Sequence, residues 1–276
     1  MIGNALHDRF GAAAPALDAS GTSAPLAAAV LARRTHRRYT ASPVPQPLIE
    51  LLCCAALSAS SKSDYQQATI LQVQDPTKRA ALAAPFPAMP WIGEAPAFLV
   101  FMGDTRRLQR LGELRGHPAS NMGLEGFFNA ATDAALALQT FILAAEDAGL
   151  GCCPISVLRN QAPLVADVLG LPAGVFPVAG LCLGWPGGAG HASMRLPPTL
   201  TLHQDRYDDT ALPTAIAAYD TEREARNPTP AAKQRAPERF GTAPDYGWSE
   251  DKARQSAQGE GAAFPPWLRA QGFTFD

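Results

Sequence analysis

The stretch from Asp133 to Pro186 constrains what this chain can fold into more than any other. It opens on a helical run that is apolar nearly all round, with Ala134, Leu136, Leu138, Phe141, Ile142, Leu143 and Ala145 covering most of the circumference. Its polar members fall on a narrow stripe: Thr132 and Asp133, Gln139 and Thr140, Glu146 and Asp147. A helix with so little wet face is predicted to be buried inside a domain or against a partner. Gly149-Leu150-Gly151 ends it, where glycine takes a positive φ without steric cost. A β-leaning segment (CCPISV), a short helix over 161–169 and an apolar β run (FPVAGLCLGW) follow.

The rest of the chain is arranged around this spine. Residues 1–23 are rich in Gly, Ala and Ser and read as a loosely held extension. A helix is predicted from Ala24 to Arg34, ending in the densest basic cluster of the sequence: Arg33, Arg34, His36, Arg37 and Arg38. Leu48–Leu57 reads as a second helix with prolines only at its entrance. SASSKSDYQQ is a polar loop, ATILQVQD a half-buried strand and AFLVFMG a more fully buried one. PFPAMPWIGEAP is too rich in proline for regular structure, and 106–128 mixes charge, glycine and aromatics as a mobile helix or a lid would. Beyond the spine come a loop and extended arm, a helix over 211–226, a long loop over 227–247 and a short amphipathic helix in PPWLRAQGF.

Composition excludes several classes. A net charge of −2 over 276 residues implies neither nucleic acid nor an anionic membrane as partner. No segment reads as long and apolar enough to span a bilayer. In APLAAAVLARR the positive charge follows the apolar run, the reverse of a secretory signal. Cys53, Cys54, Cys152, Cys153 and Cys182 form no C-x-x-C, so they read as buried, reduced thiols of a cytoplasmic protein, and no metal site is expected. His7, His117, His191 and His203 have no Ser or Cys partner placed for a triad.

The order A-A-E-x-x-G-L-G, Ile, L-R-N, then P-V-A-G-L-C-L-G-W-P resembles the FMN-dependent nitroreductase family, in particular its NADPH-dependent nitroreductase and flavin reductase branch. The resemblance covers about Leu31 to Leu200 and returns near the C-terminus. It implies an α+β fold, a mixed β-sheet flanked by helices, built as an intertwined homodimer. The expected organisation is the extension 1–23, an FMN-binding domain over 24–210 and a C-terminal arm over 211–276.

On charge alone the basic cluster is a solvated helix end. Arg33-Arg34-Thr35-His36-Arg37, however, is similar to the family's R-x-S-x-R element. The resemblance implies that Arg33 and Arg34 reach the FMN phosphate, whose oxygens match guanidinium forks. It also sets Arg37 beside the N1–C2=O edge of the flavin, where reduction gathers negative charge. Arg195 matches a second phosphate arginine, although an exposed-loop arginine fits the residues equally well. Ser193 stands where relatives commonly carry lysine, and Arg38 or Lys62 are candidate replacements. The loop containing Ser60, Ser61, Ser63, Tyr65 and Gln66 sits where the family contacts flavin O2, N3 and O4 from the other protomer, although Lys62 and Asp64 depart from the usual pattern. The backbone of Gly151 and Cys152 is implied to approach flavin N5. Met89, Pro90 and Trp91 lie where the family lines its site, and Phe127 and Phe128 read as slot or core aromatics.

The implied activity is ping-pong electron transfer from NADPH, or NADH, to a small electron-poor acceptor such as a nitroaromatic or a quinone. No side chain acts as acid or base in it. Two alternatives share the motifs: a flavin reductase supplying reduced flavin, and a flavin-binding or flavin-cleaving protein without NADPH turnover. The region holding Arg223, Arg226, Lys233, Arg235 and Arg239 is where relatives read the 2′-phosphate of NADPH.

Overall fold

The computed structural model describes residues 2–15, 24–119, 122–190 and 192–275. The chain divides into two compact units, Arg34–His191 with Gly261–Asp276, and Met1–Arg33 with Ala192–Glu260. We call them the sheet unit and the helical unit.

The sheet unit contains α3 (Gln46–Leu57), β1 (Ala68–Gln72), α4 (Pro76–Ala83), α5 (Trp91–Glu94), β2 (Ala97–Asp104) and α6 (Arg106–Arg115). It continues with α7 (Leu124–Asp147), β3 (Gly151–Ile155), α8 (Ala162–Leu169), β4 (Val175–Gly184) and α12 (Phe264–Ala270). The strand order is β1-β2-β4-β3, antiparallel at every pairing. The parallel component of the expected mixed sheet is reduced to one bridge among the described residues, between Thr35 and Cys152. The basic segment crosses the end of β3 as extended chain and forms no strand of its own.

β2 is buried along its whole length, as the continuous apolar run AFLVFMG predicts. Ala97, Leu99 and Phe101 face α3 and α7, packing with Ile49, Leu52, Ala137, Phe141 and Ala145. Phe98, Val100 and Met102 face the other way, against Leu82, Ile92, Leu158 and Val165. This two-residue alternation makes the sheet the middle layer of two cores.

α7 begins at Leu124, ahead of the predicted run, and takes up the end of the 106–128 segment; the start of that segment is the helix α6, one of its two expected forms, and residues 120–121 lie outside the described residues. Ala130, Asp133, Ala134, Ala137, Phe141 and Ala145 form its buried face at helical spacing. Phe128 and Leu136 stand on the opposite face, 62% and 42% exposed. By length and composition α7 passes for a membrane span, contrary to expectation. Its buried face nevertheless packs on the sheet and α3.

The helical unit contains α1 (Ile2–Phe10), α2 (Pro25–Ala32), α9 (Leu212–Arg226), α10 (Pro237–Phe240) and α11 (Trp248–Gln258). The expected division at 23/24 and 210/211 does not follow the two units. The N-terminal residues form a helix and a 3-10 turn held by buried Arg9, whereas residues 1 and 16–23 lie outside the described residues. At the other end, Leu268 and Phe273 join Ala130 and Phe176 in a core of the sheet unit. Two further differences are local. α5 forms inside the proline-rich segment because Arg79 donates to the carbonyls of Ile92 and Ala95, both at 2.7 Å. α11 was not expected, and α10 interrupts the predicted long loop.

Candidate active site

Two sequence-distant candidate segments meet at the end of β3. Thr35 bridges Cys152, and His36 N–H donates to the Cys152 carbonyl at 3.0 Å. The segment then runs beside the end of β4, with Thr40 N–H on Trp185 O at 2.9 Å and Gly187 N–H on Arg38 O at 2.9 Å. Tyr39 Oη donates to the carbonyl of His36 at 2.6 Å, and burial pushes this phenol well above its usual range. Gly151 is required here by close approach, since a Cβ would lie 2.8 Å from Cβ and Cγ of His36. Arg34, Thr35, Arg37, Gly151 and Cys152 are therefore brought together.

The charge at this junction is held by few partners. Arg34 Nη1 donates to Gly190 O at 2.9 Å, and the Arg37 guanidinium lies over the Trp91 ring, 5.4 Å from its centroid. No described carboxylate forms an ion pair with Arg34, Arg37 or Arg38. All three are exposed. Such a donor set suits an anionic ligand. Beneath it, burial pushes the Cys153 thiol up, with the Arg37 guanidinium opposing that rise. Cys152, Cys153 and Cys182 are buried and in no disulfide, which fits core packing, whereas Cys53 is half-buried and Cys54 exposed on α3, contrary to the expectation of five buried thiols.

The polar loop is built differently from an ordinary turn. Ser63, Asp64 and Gln66 all have positive φ (51°, 56° and 53°), a conformation that costs non-glycine residues energy. Surrounding contacts hold it. Asp133 accepts the backbone N–H groups of Lys62 at 2.9 Å and Gln67 at 3.0 Å. Ser61 Oγ accepts Gln66 N–H at 2.9 Å, and Arg107 donates to the Gln66 carbonyl. Ser60, Ser61, Gln66, Arg107 and Asp133 line a cavity of ≈ 190 Å³. Ser63 and Tyr65 lie in the same exposed loop. No hydrogen bond among the described residues joins this loop to the Arg34–Tyr39 segment. Asp133 and Arg107 escaped sequence reading: Asp133 fell on the apparent wet stripe of α7, yet it is only 2% exposed.

Arg33 and Arg195 belong to the helical unit. Arg33 is half-buried and Arg195 exposed, with Arg195 Nη1 on the carbonyls of Ser193 and Met194 at 3.2 and 3.3 Å. Arg223 donates to Tyr219 Oη at 2.7 Å. Phe127 packs among Phe176, Phe264, Phe273 and Phe275, so it is a core aromatic, whereas Phe128 is exposed. His191 lies outside the described residues, and no cluster of His, Cys, Asp or Glu among them could hold a metal ion.

Comparisons with known proteins bear on the same elements. The Nitroreductase family matches residues 30–185, and the Nitroreductase family, C-terminal domain, matches 193–276, so α1 precedes both matches. An FMN reductase (NAD(P)H) of Bacillus subtilis is 35% identical over 68% of this chain and 76% of its own length. The oxygen-insensitive NADPH nitroreductase of Salmonella typhimurium is 34% identical over 68% of this chain and 76% of its own. Among solved structures, the NADPH:FMN oxidoreductase from Vibrio harveyi complexed with NAD+ superposes with a TM-score of 0.78 at 28% identity, covering 91% of this chain and 99% of that one. Nitroreductase A from Vibrio parahaemolyticus gives a TM-score of 0.81 at 28% identity, covering 92% and 100%. With matches across most of its length in both sequence and fold, this chain belongs to the nitroreductase family.

Proposed function

We propose that this chain is an FMN-dependent oxidoreductase that uses NAD(P)H to reduce small electron-poor acceptors: nitroaromatics, quinones or free flavin. The observation that carries the reading is the Thr35–Cys152 junction, which brings the Arg34–Arg37 segment onto Gly151 and Cys152 at the start of β3. The names of the relatives, as FMN reductases and NADPH nitroreductases, support it. They also favour NADPH over NADH as donor.

FMN, when bound, supplies two-electron chemistry between a reduced nicotinamide and the acceptor. The chain's own groups hold and tune it. By resemblance to the family, Arg33, Arg34, Thr35 and Arg195 are each assigned to the phosphate. Arg37 is assigned to the pyrimidine edge of the ring, where a fixed cation stabilises negative charge. Trp91 restrains that cation through its ring face. The backbone of Gly151 and Cys152 is assigned to the ring's N5 side, and Ser60, Ser61, Ser63, Tyr65 and Gln66 to its polar edge.

The working form in this reading is a homodimer. α3 and α7 pack together in one core yet leave Leu51, Leu57, Phe128 and Leu136 exposed on the surface, which suits cover by a second copy. The free cysteines suit a reducing, cytoplasmic setting.

The test is spectroscopic. Purified protein is expected to be yellow with bound FMN, and anaerobic NADPH is expected to bleach it within the time of mixing. A colourless protein that takes up no FMN would overturn the proposal. Rates with free FMN against nitro compounds then separate a flavin reductase, favoured by the Bacillus relatives, from a nitroreductase.

A further inference from the structure

Helix α1 engages the backbone of both arginine segments of the helical unit. Arg9 is 5% exposed. Its Nε and Nη2 donate to the Leu31 carbonyl at 3.1 and 2.8 Å, and Nη2 also donates to the Arg33 carbonyl at 2.6 Å. Its Nη1 donates to the Ser193 carbonyl at 2.8 Å. The Arg9 carbonyl in turn accepts the N–H of Arg195 at 2.7 Å. One residue thus fixes the main chain at 31, 33, 193 and 195.

His7 and Ala12 anchor the described N-terminal residues to α9. Glu222 accepts the N–H of Ala12 at 2.9 and 3.1 Å, and Arg226 Nη1 donates to the His7 carbonyl at 3.4 Å. Phe10 joins Arg195, Tyr219, Arg223 and Trp248 in lining a cavity of ≈ 590 Å³. Helix α1 therefore supplies both a wall residue of an arginine-lined cavity and a backbone clamp.

A long guanidinium side chain grips a phosphate only as well as its own backbone is held, because a loose anchor forfeits the preorganisation that makes the contact strong. Arg33 and Arg195 are far apart in sequence, and Arg9 is bonded to the main chain of both. We propose that Arg9 is a positioning residue for phosphate binding, holding the Arg33 and Arg195 segments in register so that both guanidinium groups grip one phosphomonoester, the 5′-phosphate of FMN. This inference rests on the FMN reading above. A phosphomonoester also occurs as the 2′-phosphate of NADPH, and the experiment separates the two sources.

Full-length protein and its Arg9→Met variant are titrated with FMN and with riboflavin, which has the same ring but no phosphate. The expected result is a weakening of FMN binding by about tenfold or more, the scale of lost outer-shell support, with riboflavin affinity changed by less than about twofold. Equal weakening of both flavins, or of neither, overturns the inference. A loss of preference for NADPH over NADH with FMN binding intact overturns the assignment to FMN. If Arg9→Met does not fold, hydrogen exchange on the unaltered protein decides. FMN is expected to protect the amides of α1 and of Arg195 more than riboflavin does, and equal protection overturns the proposal. If the unaltered protein binds neither flavin, the FMN reading itself has failed, and this inference falls with it.

Discussion

The carboxylate of Asp133, midway along α7, accepts the backbone N–H of Gln67 at 3.0 Å. Its second oxygen accepts the N–H of Lys62, so one buried side chain closes both ends of the loop that carries Ser63, Asp64 and Gln66 at positive φ. Asp133→Asn keeps the shape but replaces one acceptor with a donor facing an N–H. Leaving that buried N–H unpaired is expected to lower stability by about 1–3 kcal/mol. Urea unfolding measures this. FMN affinity is expected to fall with it, because the loop is assigned to the ring's polar edge. Unchanged stability and affinity would show that the clamp is dispensable.

Arg37 is exposed, in no described ion pair, and placed over Trp91. In the proposed role its charge favours the electron-rich form of FMN, so Arg37→Ala is expected to make the bound cofactor's potential more negative. A shift of about 30 mV corresponds to about 1.4 kcal/mol for a two-electron couple and is a reasonable scale for one partly solvated cation. Equilibrium titration against a reference dye measures it. An unchanged potential with unchanged turnover would remove Arg37 from the flavin edge.

Gly151 offers a purely steric test. A methyl group there would lie 2.8 Å from Cβ and Cγ of His36, closer than packed carbon atoms tolerate. Gly151→Ala is expected to push the Arg34–Tyr39 segment off β3 and break the His36–Cys152 bond. Weaker FMN binding with the sheet intact by circular dichroism is the expected signature. Normal FMN binding would show that the segment moves without consequence.

How much of this was legible follows the physics of each element. The buried face of α7 and the continuous apolar run of β2 could be read directly, because burial on a packed layer demands apolar residues at fixed spacing. The Arg34–Arg37 element and the glycine loop were legible as motifs, and their meeting came with the fold. Arg9 and Asp133 were not legible. Each is a charged residue whose partners are backbone groups many residues away, and backbone groups leave no trace in the sequence. α1 and α11 were missed because neither carries a broad apolar stripe. The polar composition of SASSKSDYQQ marks a loop, but not its strain, because serine, aspartate and glutamine, unlike glycine, do not announce a positive φ.

The exposed side of α7 predicts an assembly. Leu136 is 42% exposed, so Leu136→Glu is expected to leave the fold of one chain undisturbed. In the proposed homodimer the same change buries a carboxylate against apolar groups, which association does not tolerate. Sedimentation is expected to show a dimer for the unaltered protein and a monomer for the variant, with FMN released. A variant that remains dimeric would place the interface elsewhere.

Acid is expected to loosen the helical unit through Asp251. This carboxylate accepts Tyr246 Oη at 2.8 Å, Lys252 Nζ at 2.7 Å and Arg235 Nε at 3.3 Å, tying α11 to the 234–246 segment. Burial pushes its pKa up, but the hydrogen bonds from Lys252, Tyr246 and Arg235 outweigh burial and leave it at about 2, below the ordinary 3.8. A depressed carboxyl contributes stability that is complete above the unfolded value and is lost as pH falls towards the folded one. The loss therefore belongs between pH 3.8 and about 2. Asp251→Asn is expected to be less stable than the unaltered protein at pH 6, with the difference shrinking across that acid window. Urea midpoints followed by far-ultraviolet circular dichroism from pH 6 to 2 measure the difference, and parallel profiles for the two proteins would show that Asp251 does not carry the acid sensitivity.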